Sequence, residues 1–133
     1  MKKIFYETLC VGLGGFLGAI LRYCSNSLVS KLINTEQFPY GTFLVNITGC
    51  FCIGVVFGIS RYIFQLDNHL KLFVLVGILG SYTTFSTFAY ETLQLMENGK
   101  IISPFLNVFM QVTIGITAVW IGILLTKNIK LFF

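Results

Sequence analysis

Titratable chemistry is nearly missing from this chain, whose 133 residues hold one histidine, His69, and five carboxylates, while 56% of its side chains are apolar. A Ser-His-Asp triad needs a histidine beside its nucleophile, and acid/base work on a bond needs paired carboxylates. His69 lies outside the apolar stretches and no carboxylate pair lies within them, so neither arrangement can be assembled. Cysteines number four, Cys10, Cys24, Cys50 and Cys52, but no two have the CxxC spacing of a metal or redox site. They are expected as buried, small apolar fillers. No nucleotide-binding motif is present. Enzymes are set aside.

Charge is equally scarce, at 11% of residues, and its absence is organised: uncharged blocks cover 8–21, 37–60, 72–90 and 101–126. A helix needs ~20 residues to cross a bilayer. The first block is short, but 4–33 continues it with only Glu7, Arg22 and Lys31 interrupting, and such an arginine can snorkel or pair. The expected fold is an all-α membrane protein, residues 1–133 forming a single domain of four transmembrane helices. Only "SKLINTEQFP", "RYIFQLDNHLK" and "MENGKIISP" are polar enough to connect them, and none could be a soluble domain. The opening "MKKIF" also suits a secretory signal, but Glu7, Arg22 and the lack of a small-x-small cleavage site favour a retained helix.

Four helices place both termini and the middle loop on one side of the membrane. That side holds Lys2, Lys3, Arg61, Lys71, Lys127 and Lys130, and the other holds Lys31 and Lys100, with Arg22 near it. The bias puts the termini in the cytoplasm. Gly14 and Gly18 in "GLGGFLGA", and Gly54 and Gly58 in "GVVFG", have the GxxxG spacing that lets helix backbones approach closely. A compact bundle that oligomerises is expected.

Polar groups inside the blocks carry the functional reading. Thr42, Asn46, Gly49 and Ile53 share one face of the second helix, so Asn46 either makes an interhelical hydrogen bond, often worth only ~0.6 kcal/mol, or faces a pore. Arg22 is either an interfacial anchor or a positive charge that draws an anion. In "GILGSYTTFSTF", the hydroxyls of Ser81, Thr83, Thr84, Ser86 and Thr87 crowd together after Gly80. Scattered hydroxyls bond back to their own helix, but β-branched threonines beside a glycine weaken it, and a break in helix three is expected. Broken helix within a membrane is tolerable only where its carbonyls and amides meet protein, water or an ion. Ser81, Phe85, Phe88 and Glu91, at offsets of 4, 3 and 3, draw a stripe from hydroxyl through two rings to a carboxylate. Ring edges are electropositive and can face an anion, so the stripe suits a small-anion path.

At these residues the chain resembles the Fluc (CrcB) family of fluoride channels over nearly its whole length. "GGFLGAILRY", "PYGTFLVNITG" and "GSYTTFSTF" are similar to that family's three signatures, in order and at the expected spacing. The resemblance implies a four-helix subunit in a dual-topology antiparallel dimer, with two fluoride pores at the interface and a central structural sodium ion. It implies passive fluoride export across a bacterial-type cell membrane, relieving fluoride toxicity. Carried over by position, Asn46 faces the pore, Phe85 and Phe88 give ring edges, Ser86 and Thr87 give hydroxyls, and Gly80 and Thr83 offer sodium their carbonyls. Arg22 and Glu91 match the family's arginine and acid near the pore mouths. Ser81 and Tyr82 stand where the family often has glycine and phenylalanine, and Asn107 and Gln111 where its fourth helix tends to carry tyrosine and serine. Whether the partner is a second copy or an oppositely oriented paralogue stays open. The alternatives are a small four-helix proton-coupled drug exporter, which needs a carboxylate deep in helix one, and a structural subunit, which needs no hydroxyl cluster.

Overall fold

The computed structural model describes residues 1–33 and 38–130, and among these there is no strand. Four helices are long and apolar enough to span a membrane: α1 Lys2–Leu32, α2 Tyr40–Ile63, α3 Asn68–Glu97 and α4 Ile102–Lys130. α1 and α3 contain their uncharged blocks whole, α2 and α4 begin inside theirs, and all four extend past the block into polar residues, because a helix also satisfies its backbone through the headgroup region. The expected start of the second block, Gln37, lies outside the described residues. Asp67 caps α3 by accepting the His69 N–H at 2.9 Å, and that bond holds its carboxyl below the usual aspartate range. Gly99, with φ of 73°, makes the turn from α3 to α4 in a conformation that glycine adopts without strain.

Helices in lipid gain little by hiding apolar side chains from one another, so close backbone packing must hold the bundle. The two glycine pairs do this inside the subunit. Gly14 and Gly18 of α1 lie against the backbone of α3 at Phe73, Gly77 and Ile78, and Gly54 of α2 lies against Val119 of α4. From the other side, Gly122 of α4 meets Phe51 and Val55. The glycine spacing therefore explains intrachain packing, and oligomerisation needs separate support. The cysteines also differ from expectation, since Cys24 and Cys52 are exposed and Cys10 and Cys50 only half-buried. A surface that faces lipid accepts a small apolar side chain without burying it.

Candidate functional site

Midway along α3 the helical winding stops for two residues. Thr83 (φ −79°, ψ 157°) and Thr84 (φ −150°, ψ 115°) are extended, between a short turn at Gly80–Tyr82 and a regular helix at Phe85–Glu97. Threonine's branched Cβ favours that geometry. An extended residue cannot satisfy its own N–H and C=O, and in an apolar region the partners must come from another helix. Asn46 of α2 supplies both: it accepts the Thr84 N–H on Oδ1 at 2.8 Å and donates from Nδ2 to the Thr84 carbonyl at 3.1 Å. A side-chain amide carries a donor and an acceptor side by side without needing to take up a proton. The Thr84 hydroxyl then caps the helix that restarts, accepting from the Thr87 N–H at 3.2 Å and donating to the Thr87 hydroxyl at 2.9 Å.

This clasp sets the direction of a second amide. A backbone N–H can only donate, so Thr84 fixes which end of Asn46 is oxygen, and Nδ2 is left to donate to Gln111 Oε1 of α4 at 3.1 Å. Gln111 is thereby turned with its oxygen toward Asn46. Its Nε2 is buried and has no hydrogen-bond partner among the described residues. A buried amide donor left unpaired costs ~1–3 kcal/mol unless something accepts from it.

Two further pairs continue the polar seam toward one end of the bundle. Asn107 of α4, with no exposed surface, donates to the Thr92 hydroxyl at 2.8 Å, and Thr92 in turn donates to the Phe88 carbonyl at 2.7 Å. Thr42, one turn before Asn46 on α2, donates to Glu91 Oε1 at 2.8 Å. Asn107 Oδ1 and Glu91 Oε2, like Gln111 Nε2, are buried without partners among the described residues. Beyond Glu91 the seam opens into a cavity of about 780 Å³ whose polar lining includes Asn26, Ser27, Thr42, Glu91, Gln94 and Asn98.

The residues expected from the sequence fall into separate places. Asn46, Gln111, Asn107 and Glu91 join this seam, while Phe85 and Phe88 divide. Their ring centroids are 5.5 Å apart, yet Phe88 is 9% exposed and Phe85 79%. Ser86 is exposed and Thr87 half-buried. Ser81 does not continue the Phe85, Phe88 and Glu91 stripe on one helix, because the extended pair intervenes. Gly49 does not leave open room beside Asn46: the Thr83 methyl and the Tyr82 ring pack against it. Arg22 Nη1 reaches the Thr83 carbonyl at a long 3.4 Å. Thr42, Thr84 and Thr92 were not singled out as site residues, although Thr42 shares the Asn46 face and Thr84 and Thr92 are eight residues apart on α3.

Two carbonyls at this step have lost their regular helical partners. Gly80's regular helical partner, the Thr84 N–H, is committed to Asn46, and Gly80 is at the subunit surface. Thr83's regular partner, the Thr87 N–H, is committed to the Thr84 hydroxyl, which leaves the Thr83 carbonyl with only the long contact to Arg22 Nη1. Carbonyl oxygens of this kind suit sodium, and the described residues hold no His, Cys, Asp or Glu cluster that could hold a metal instead.

Four apolar spans tied together by close glycines, with a polar seam through their interior, define a multi-pass helical membrane protein. Residues 9–123 match the family model described as CrcB-like protein, Camphor Resistance (CrcB), and the chain belongs to this family. It is 40% identical over 129 residues to the fluoride-specific ion channel FluC of Flavobacterium psychrophilum, covering 97% of this chain and all of that one. The fluoride-specific ion channel FluC of Campylobacter lari is 44% identical over 121 residues, covering 90% and 96%. That of Dehalococcoides mccartyi is 42% identical over 127 residues, covering 93% and 95%. The names are those of an ion channel, not of an enzyme.

Proposed function

We propose that this chain is one subunit of a fluoride channel that exports the ion passively across the cell membrane. The observation that carries the reading is the unpartnered, oriented Gln111 amide, a buried donor in a bundle whose relatives are named for fluoride. Moving even a carboxylate-sized anion into a dry interior costs of order 20 kcal/mol, and a smaller ion costs more, so each lost water contact must be replaced. Gln111 Nε2, the hydroxyls of Ser86 and Thr87, and the edges of Phe85 and Phe88 are donors suited to that task. Asn46 serves this path by aiming Gln111, since its own amide is committed to Thr84 and Gln111. Glu91 and the buried Asn107 carbonyl are acceptors, and Glu91, which lines the cavity, suits water at the mouth.

The extended step at Thr83 and Thr84 supports the expected break in helix three. Phe85 and Gly80, both exposed on the single subunit, suit an interface with a second, antiparallel copy or an oppositely oriented paralogue. Carbonyls of Gly80 and Thr83 from both subunits would hold the central sodium ion, which supplies positive charge between the pores. The charge bias favours cytoplasmic termini in the membrane of a bacterial-type cell, so an antiparallel second copy would insert against it, whereas a paralogue could carry the opposite bias. Drug export coupled to protons lacks its carboxylate: Glu7 sits near the end of α1, held by Asn68 at 3.2 Å and Lys3 at 4.0 Å.

Liposomes carrying the purified protein should lose fluoride rapidly and retain chloride, and no fluoride efflux above empty liposomes would overturn the channel. Phe85→Ile should lower flux at least about tenfold, equivalent to ~1.4 kcal/mol of barrier, with little change in subunit stability because its ring is exposed. Phe88→Ile should lower flux and also destabilise the subunit by ~1–3 kcal/mol, because that ring is packed. Unchanged flux in both folded variants would remove the rings from the path. Single cysteines placed at the termini should be labelled from both sides of the membrane within one crosslinked dimer. An active complex whose subunits all point the same way would end the antiparallel arrangement.

A further inference from the structure

At the opposite end from the 780 Å³ cavity, two crevices share Arg61 and Lys71. The deeper one, about 410 Å³, runs between α2, α3 and α4 and is walled by Phe57, Leu75 and Ile123. The outer one, about 430 Å³, adds Lys130 from α4 and is mostly polar. Among the described residues no carboxylate lies within 4.0 Å of any of these three cations, and Asp67 in the neighbouring connection is turned to the His69 N–H. Arg61 stacks over its neighbour Tyr62, with 5.4 Å from guanidinium to ring, which aligns the group without neutralising it.

We propose that this crevice is a binding site for an anionic phospholipid, its phosphate among Arg61, Lys71 and Lys130 and one acyl chain along Phe57, Leu75 and Ile123. A basic pocket between transmembrane helices, continuous with an apolar slot, matches both parts of such a lipid. The apolar slot gives the acyl chain no advantage over the surrounding bilayer, so preference for one lipid over another comes from the headgroup charge. A soluble anion gains the charge but not the slot. The site lies away from the Asn46 seam and does not depend on what the channel conducts.

Native mass spectrometry of the detergent-purified protein, offered phosphatidylglycerol and phosphatidylcholine of the same chain length, tests this. Phosphatidylglycerol should be retained at least about 25-fold more, from about fivefold for each of the two inner cations. Arg61→Gln with Lys71→Gln should abolish the preference, whereas Arg61→Lys with Lys71→Arg should keep it. Equal retention of the two lipids by the wild-type protein would overturn the proposal, and that measurement needs no variant to fold. Preference surviving in the glutamine variant would also overturn it. Displacement of the lipid by millimolar inorganic phosphate would do the same, by reducing the site to one for free anions.

Discussion

Asn46→Leu should abolish fluoride flux and cost the folded subunit several kcal/mol. An interhelical hydrogen bond in a membrane averages only ~0.6 kcal/mol because the separated helices find other partners. That discount does not apply to Thr84. Its N–H and C=O are backbone groups in an extended residue 8% exposed, and α3 cannot take them back without rewinding. Leaving both unpaired costs ~1–3 kcal/mol each, and Gln111 loses the contact that turns its donors away. Asn46→Asp separates the roles. When ionised, its carboxylate still accepts the Thr84 N–H but sets a second oxygen against the Thr84 carbonyl and Gln111 Oε1, so at a pH that keeps it ionised it should fare no better than leucine, whereas the protonated acid can still clasp Thr84. Thermal unfolding in detergent and flux per folded protein are the two measurements. Wild-type stability and flux in Asn46→Leu would show that the clasp supports nothing.

Gly18→Leu should prevent the subunit from folding stably, while Gly12→Leu, less than two turns earlier on the same helix, should be neutral. A Cβ at Gly18 would run into the Ile78 backbone of α3, and at Gly12 it would meet nothing within 4 Å. Overpacking against side chains costs ~1–3 kcal/mol as neighbours repack. Backbone cannot repack, so the cost at Gly18 lies at the top of that range or beyond it. Comparing yield and unfolding temperature of the two variants cancels glycine's own effect on helix propensity. Equal stability of the pair would contradict the α1 to α3 packing.

The four spans were legible in the sequence because crossing a bilayer depends on length and on the absence of charge, which neighbouring helices do not alter. The crowding of Ser81, Thr83, Thr84, Ser86 and Thr87 marked the irregular stretch of α3 for a similar reason: branched side chains beside a glycine weaken a helix locally. Asn46 and Glu91 could be picked out as polar groups at the apolar stretches, a property of each position alone, while Asn107 and Gln111 came only from the family resemblance. What each of them touches was decided by tertiary structure. Asn46 had two open readings, and which one holds depends on the extended backbone of Thr84 lying opposite it on another helix. Phe85 and Phe88 are alike in sequence but differ ninefold in exposure, because only one faces the bundle. The GxxxG pairs announced close contact without naming a partner, and the partners proved to be α3 and α4 of the same chain. Hydropathy and helix propensity are sums over single residues. The direction of an amide is fixed by the one backbone donor it meets, and only the folded chain brings that donor to it.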